Sequence, residues 1–403
     1  WFGVAAALCV LVLSAQALDD GLPLKLPPDD APRSPVGTID LDLPAHQRWK
    51  ATVDQVIMRH GFSHSFEPLV TAIQAAVEKV PLIKDLFPLI ESTFVSRWPE
   101  YADELRGVKE SLAAHGHDVS WEILLVINFL SDLEHIQEVS SSLNVLRRLA
   151  CTSIIARATD GTVIHARNDD ADAKHMMMNI TADLEWVKTS DDGVKRVVLK
   201  STQFVGWVGV YTAMKPGVAS LTQDQRVGFV NRSAFIALLT NDTRAGPDSL
   251  LMRDAMMQGR SFDQIAATLT KTQKLSPSYF VLAGTTAGVV ITRDPAHAWT
   301  LPLDQLPSFP YEKVPWALVE TNWDPWRVEP SSDPRRATAE QALVGMGRRR
   351  AATIIGLLSV LSMESKSNAT NGLLNIGTAF SVAMTPSNGT LISFLRNSHA
   401  CCT

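Results

Sequence analysis

The chain has 403 residues, 46% hydrophobic and 20% charged, with a formal net charge of -5 and a pI near 6.1. That balance supports a large folded core and excludes a disordered tail. It also excludes nucleic acid as a partner, because Arg348, Arg349 and Arg350 form only a short basic run, not a stripe that could neutralise phosphates.

Residues 1–17, WFGVAAALCVLVLSAQA, are apolar but too short to span a bilayer comfortably. They end in Ala15-Gln16-Ala17, a small-residue cleavage pattern, and read as part of a signal peptide. Five Asn-X-Ser/Thr sequons, at Asn179, Asn231, Asn241, Asn368 and Asn388, agree with a secretory route. Residues 18–36 are rich in Pro and Asp and read as an exposed leader. From about 45 to 148 apolar residues recur at three- and four-residue spacing, which predicts helices over Phe66 to Leu86 and Trp121 to Leu146. At Cys151 the pattern switches to strands. CTSIIARA, the turn signal Asp160-Gly161 and TVIHARN predict a hairpin with a two-residue turn. Strand-like runs follow at 194–200 and 204–214, then helices near 233–240, 247–258 and 261–271, a second hairpin at 278–284 and 288–294, an apolar helix at 351–362 and a strand at 389–395. A helical third followed by strands that bracket helices predicts an α+β layered fold.

Four cysteines, Cys9, Cys151, Cys401 and Cys402, cannot supply a disulfide framework. Cys151 stands alone where helix gives way to strand, and such a cysteine is a buried small hydrophobe, a partner for another chain or a reactive thiol. The hairpin favours the last, because it returns Arg167, Asn168 and Asp170 to the start of the first strand, where a guanidinium and a carboxylate can tune a thiol. His165, two residues before Arg167, reads as a packed strand histidine. No His or Cys cluster has metal-ligand spacing, and Gly345 and Gly347 lack the strand and lysine of a phosphate loop, so neither metal nor cofactor is expected.

Cys151-Thr152-Ser153-Ile154 followed by His165-Ala166-Arg167-Asn168-Asp169-Asp170 resembles the signature of the acid ceramidase family, which includes N-acylethanolamine acid amidase. The resemblance continues in order through Ile39–Pro44 with Arg48-Trp49, Lys215-Pro216-Gly217 with Ser220-Leu221-Thr222, Leu269–Thr272 with Tyr279-Phe280, Thr321–Asp324 and Asp333–Arg336. It implies an N-terminal-nucleophile hydrolase with an αββα sandwich, made as a proenzyme that cuts itself between Ala150 and Cys151. A partial signal peptide (1–17) would then precede an α-subunit (18–150) and a catalytic β-subunit (151–403), which form a heterodimer. Carried over, Cys151 is nucleophile, Asn322 oxyanion donor, Asp170 the holder of the freed amine, Arg167 the stabiliser of thiolate or substrate carbonyl, and Arg335 a support for the network. The expected enzyme is lysosomal, with secretion as a further destination. It would split ceramide, a lipid presented at a membrane surface with a saposin-type helper, to sphingosine and fatty acid. An N-acylethanolamine hydrolase is the near alternative, and a silent lipid-binding relative the distant one.

Three departures stand out. Ala166 replaces a glycine, Gln225 in Asp224-Gln225-Arg226 replaces a glutamate, and Pro334 replaces the second acid of an Asp-Asp-Arg-Arg block. Acid ceramidase joins its subunits by a disulfide, but no cysteine lies between residues 18 and 150 here, so packing and hydrogen bonds must hold the pieces. Cys401 and Cys402 are adjacent, open to a vicinal disulfide, an intermolecular bond or free thiols.

Overall fold

The computed structural model describes residues 32–142, 151–171, 174–240, 245–305, 314–365 and 372–396. The signal segment, Ala150, the sequons at Asn241 and Asn368, and Cys401 and Cys402 lie outside these residues.

After a strand β1 (Val36–Asp40), the first third is helical: α1 (Lys50–His60), α2 (Phe66–Lys79), α3 (Pro81–Arg97), α4 (Pro99–Ala114) and α5 (Trp121–Leu133), with a short turn of helix at Gln137–Ser142. The single helix expected over Phe66 to Leu86 is two. Pro81 has no N–H to donate and forces the preceding residue out of the helical region, and Val80 duly sits at φ -118, ψ 87. Ser120 caps α5 by accepting from Ile123 N, and the helix ends at Leu133 with a turn before Gln137, short of the expected Leu146.

The strands form two sheets. The hairpin β2 (Thr152–Arg157) and β3 (Val163–Asp170) lies in a five-stranded sheet with β11 (Ala317–Glu320), β12 (Thr378–Thr385) and β13 (Thr390–Leu395), in the order β11-β2-β3-β12-β13. The second sheet has eight strands: β1, β4 (Thr181–Thr189), β5 (Lys195–Phe204), β6 (Thr212–Lys215), β7 (Ala219–Gln225), β8 (Ser278–Gly284), β9 (Gly288–Arg293) and β10 (Ala298–Pro302), paired in that order. The strand expected over 204–214 exists only at its ends. Gly206 adopts φ +102, and a Cβ on Gly209 would lie 2.4 Å from the Ser249 side chain, so the backbone here leaves the sheet to press against a helix. The hairpin turn is also longer than predicted, running over residues 158–162 with Gly161 at φ +89.

The two sheets pack face to face, β2 against β7 and β8 and β3 against β8, around Ile155, Val163, Val281, Ala283, Val290 and Leu318. Helices α6 (Arg232–Thr240), α7 (Asp248–Gln258) and α8 (Phe262–Lys271) follow β7, and α7 and α8 cover the outer face of the larger sheet. Helix α9 (Arg335–Met346) and, after a short turn at Arg348–Ala351, α10 (Ile354–Leu361) cover the smaller one through Leu343, Leu357, Leu358 and Leu361. The α10 helix is shorter than the 351–362 expected, since Thr353 caps it by accepting from Gly356 N. The layers are therefore αββα.

Helix α1 packs on β1 of the eight-stranded sheet, where Trp49 just before it meets Trp186 edge to face at 5.8 Å, and α2 to α5 pack on α1 and on one another. A buried ion pair fastens them: Glu104 of α4 accepts from both terminal nitrogens of Arg253 on α7, at 2.6 and 2.7 Å. Among the described residues no helix is long and apolar enough to cross a membrane. Of the sequons described, Asn179 is half-buried and donates to His64 O, Asn231 caps α6 by accepting from Ala234 N, and Asn388 accepts from Thr390 N in the β12–β13 turn.

Candidate active site

Cys151 precedes β2 at the mouth between the sheets. Strand pairing places Ser153 opposite Arg167 and Thr152 opposite Asn168, so alternation turns Arg167 to one face and Asn168 to the other. Arg167 donates to Cys151 Sγ at 2.9 Å. Its other terminal nitrogen reaches Tyr211 O at 2.7 Å and Thr212 Oγ1 at 2.6 Å, which fixes the guanidinium. Asn168 faces away, donating to Leu361 O and Leu373 O beneath α10. Burial pushes the Cys151 thiol well above its ordinary value, and Arg167 opposes that rise.

Arg335, at the first turn of α9, ties the remaining residues together. It donates to Cys151 O at 2.8 Å and to Asn322 Oδ1 at 2.7 Å, while Asp333 holds its Nε at 2.7 Å. The Asn322 amide is thereby oriented, and its Nδ2 donates to the backbone carbonyl of Gln225 at 2.7 Å. Asp170 lies 4.0 Å from Arg335 and accepts from Asn375 Nδ2 at 2.7 Å. Burial raises the Asp170 carboxyl to about 7, against the pull of Arg335, Thr378 and Asn375. All five candidate residues, Cys151, Arg167, Asp170, Asn322 and Arg335, thus meet in one buried cluster.

His165 is packed between hydroxyls, its ring nitrogens 3.0 Å from Ser220 Oγ and 3.1 Å from Thr222 Oγ1, and burial lowers it to about 3. Burial therefore favours its neutral ring. Two of the departures are quiet. Gln225 serves Asn322 through its backbone, with its side chain half-buried, and Pro334 precedes α9 and accepts from Thr338 while Asp333 supplies the carboxylate to Arg335.

A cavity of about 60 Å³ opens beside the thiol. Cys151, Arg167 and Asp169 line one side, and Leu69, Leu130 and Trp207 supply apolar wall. Leu69 and Leu130 come from α2 and α5, so the N-terminal helices complete a pocket whose nucleophile is on the sheet.

No family model matches the chain. It is 30% identical over 325 residues to the N-acylethanolamine-hydrolyzing acid amidase of Mus musculus, covering 78% of this chain and 77% of that protein. The chain belongs to the acid ceramidase and N-acylethanolamine acid amidase family. Its members are amidohydrolases of the N-terminal-nucleophile class with a cysteine nucleophile. Acid ceramidase of Homo sapiens is 28% identical over 331 residues, 76% of this chain and 74% of that one. A shorter alignment within the family, to the Rattus norvegicus acid amidase, reaches 34% over 218 residues and takes in 52% of the chain and 56% of the relative. Among solved structures, the Caenorhabditis elegans N-acylethanolamine-hydrolyzing acid amidase ortholog is 27% identical, with a TM-score of 0.49 over 61% of this chain and 100% of that chain.

Sequence reasoning passes over Asp224, a member of the buried cluster that only the fold reveals. It receives Ser153 Oγ at 3.0 Å and faces Arg167 Nε at 3.8 Å, and burial raises it to about 7. The signal is present in the Asp224-Gln225-Arg226 block, where the change at Gln225 draws attention one residue too far.

Proposed function

We propose that the protein is a lysosomal amidase that cuts the bond before Cys151 and then hydrolyses long-chain N-acyl amides of amino alcohols. The observation that carries this is the Arg167 guanidinium held 2.9 Å from Cys151 Sγ in a pocket with apolar walls. Attack of the Cys151 thiol on the carbonyl of Ala150, followed by hydrolysis, leaves residues 18–150 and 151–403 as the two subunits and frees an α-amine on the nucleophile itself. That amine, with an ordinary pKa of about 7.7 to 8.0, takes the thiol proton as sulfur bonds to the substrate carbonyl carbon. On this reading Asn322 and Arg167 meet charge on the carbonyl oxygen, and Asp170 holds the ammonium. Collapse breaks the C–N bond and passes the proton to the leaving amine. Water, deprotonated by the same α-amine, then splits the acyl-Cys151 thioester and releases the fatty acid.

One observation favours an N-acylethanolamine over ceramide: no cysteine lies between residues 18 and 150, so the disulfide that joins the subunits of acid ceramidase has no partner there. Ceramide, presented at a membrane by a saposin-type helper, is the second reading. Purified, cut protein assayed on palmitoylethanolamide and ceramide side by side decides between them. Hydrolysis of neither would make the chain a silent relative. The Cys151→Ala protein is expected as one uncut, inactive chain, and cutting at the same bond in that variant would overturn the mechanism.

A further inference from the structure

The geometry points to Gln223 as the residue that reads the hydroxyl of the amino-alcohol part of the substrate. Gln223 is only 5% exposed and lines the Cys151 cavity. Its Nε2 is buried and finds no acceptor among the described residues. A buried N–H without an acceptor is costly, whereas the same group becomes a source of selectivity once a ligand supplies the oxygen.

The strand decides which oxygen. Alternation along β7 turns Ser220, Thr222 and Asp224 inward, toward His165 and Ser153 of the facing sheet. Gln223 is turned the other way and lines the cavity, whose walls include Leu69 and Leu130. The scissile carbonyl must sit over Cys151 Sγ, where Arg167 donates, so Gln223 is left to meet a different oxygen. A fatty acyl chain offers none beyond its carbonyl. The amine half does: a hydroxyl stands two carbons from nitrogen in an N-acylethanolamine and equally in the 1-hydroxyl of ceramide. The backbone supports this placement, because Gln223 N donates to Tyr211 O, the same carbonyl that Arg167 holds, so the side chain springs from a point fixed relative to the nucleophile.

This inference rests on the amidase reading, and its test separates the two. The cut wild-type protein is given palmitoylethanolamide and N-ethylpalmitamide, which differ only in the hydroxyl, together with ceramide and its 1-deoxy analogue. The expected result is a preference for the hydroxylated member of the pair that is turned over, by about ten- to a hundredfold in kcat/KM. Gln223→Met, which keeps the length and removes the donor, should erase that preference by slowing only the hydroxylated substrate. A thiol-directed probe on Cys151 verifies that the variant is folded and cut. Equal wild-type rates on both members of a pair overturn the inference without touching the amidase reading, and need no variant. A Gln223→Met protein that slows both members equally overturns it too, by assigning the donor to the carbonyl. No wild-type hydrolysis of any of the four defeats the amidase reading and this inference with it.

Discussion

Glu104 and Asp224 are both acids with essentially no exposure, each facing an arginine across elements distant in the sequence, yet they are held in opposite ways. Glu104 receives Arg253 twice, Arg48 at 2.8 Å and the indole N–H of Trp49 at 2.9 Å. Arg253 is in turn stacked over Tyr101 and Trp186 at 4.2 and 4.5 Å. Asp224 receives one hydroxyl, stands 3.8 Å from its guanidinium, and has an Oδ2 with no partner among the described residues. Burial alone would raise both carboxyls. At Glu104 the paired guanidinium and the indole overcome it and hold the group below its ordinary value, whereas Asp224, like Asp170, rises to about 7. Burial by itself therefore does not set the charge of an acid; the number of donors converging on it does. One cluster is a fastening held ionised below the ordinary carboxylate range, and the other can exchange protons near neutral pH beside a nucleophile.

The sharpest way to break this contrast is Glu104→Gln, which strands Arg253 and Arg48 in the interior. Loss of one partner of a buried pair typically costs about 3 to 5 kcal/mol, so the urea midpoint should fall steeply while turnover per folded molecule is kept. A loss below about 1 kcal/mol would reduce the fastening to a surface-type pair. Asn322→Ala tests the other side. Turnover should fall a hundred- to a thousandfold, or about 3 to 4 kcal/mol, with Cys151 still open to a thiol probe and the melting temperature little altered. Near-normal hydrolysis would hand the oxyanion to other donors.

Smaller effects come from pH. Asp170 and Asp224 bind protons more tightly in the folded chain than unfolded, where they return to 3.8. Their contribution is fully present below the unfolded value and is lost as pH rises through about 7. Glu104, depressed in the fold, contributes above its unfolded 4.5 and loses it as pH falls further. The buried histidines His135 and His165, lowered to about 4 and about 3, act in the opposite sense and withdraw stability as pH falls through their unfolded 6.5. The raised carboxyls are therefore read by substitution: Asp170→Asn should raise the melting temperature at pH 8 relative to that at pH 5 by calorimetry, and no relative rise would contradict them. Asp224→Asn is the finest probe. It imitates the protonated acid, so at pH 5 stability should move by no more than about 1 kcal/mol, while stability at pH 8 rises relative to pH 5. An unchanged difference would take Asp224 out of the titration.

Much of this site is legible in the sequence because hairpin pairing is local: Arg167 returns to Cys151 through a turn of a few residues, and a turn-length error leaves the register intact. Asn322 and Arg335 are reached only through resemblance, since nothing in their neighbours dictates that α9 begins beside β2. The strand β7 shows why pattern reading stops where it does. Its inward residues, Ser220, Thr222 and Asp224, are polar because they face His165 and Ser153, so the buried face carries no apolar alternation to announce a strand. At 204–214 the opposite holds: an apolar, β-branched run reads as strand, but glycines that allow close backbone approach turn it into a loop.

Strand β1 pairs in parallel with β4 along the edge of the larger sheet, and just before it Pro32 accepts from Leu395 N in the smaller one. On the cleavage reading, these residues lie in one polypeptide and their partners in another. The interleaving can be laid down only while the chain is continuous, when the search for β4 is intramolecular. After the cut, regaining it is a meeting of two molecules, slow at low concentration. The processed enzyme would then keep its shape as a kinetic inheritance: its working life is set by how fast β1 peels away, not by the free energy of refolding, and a molecule once unfolded does not come back.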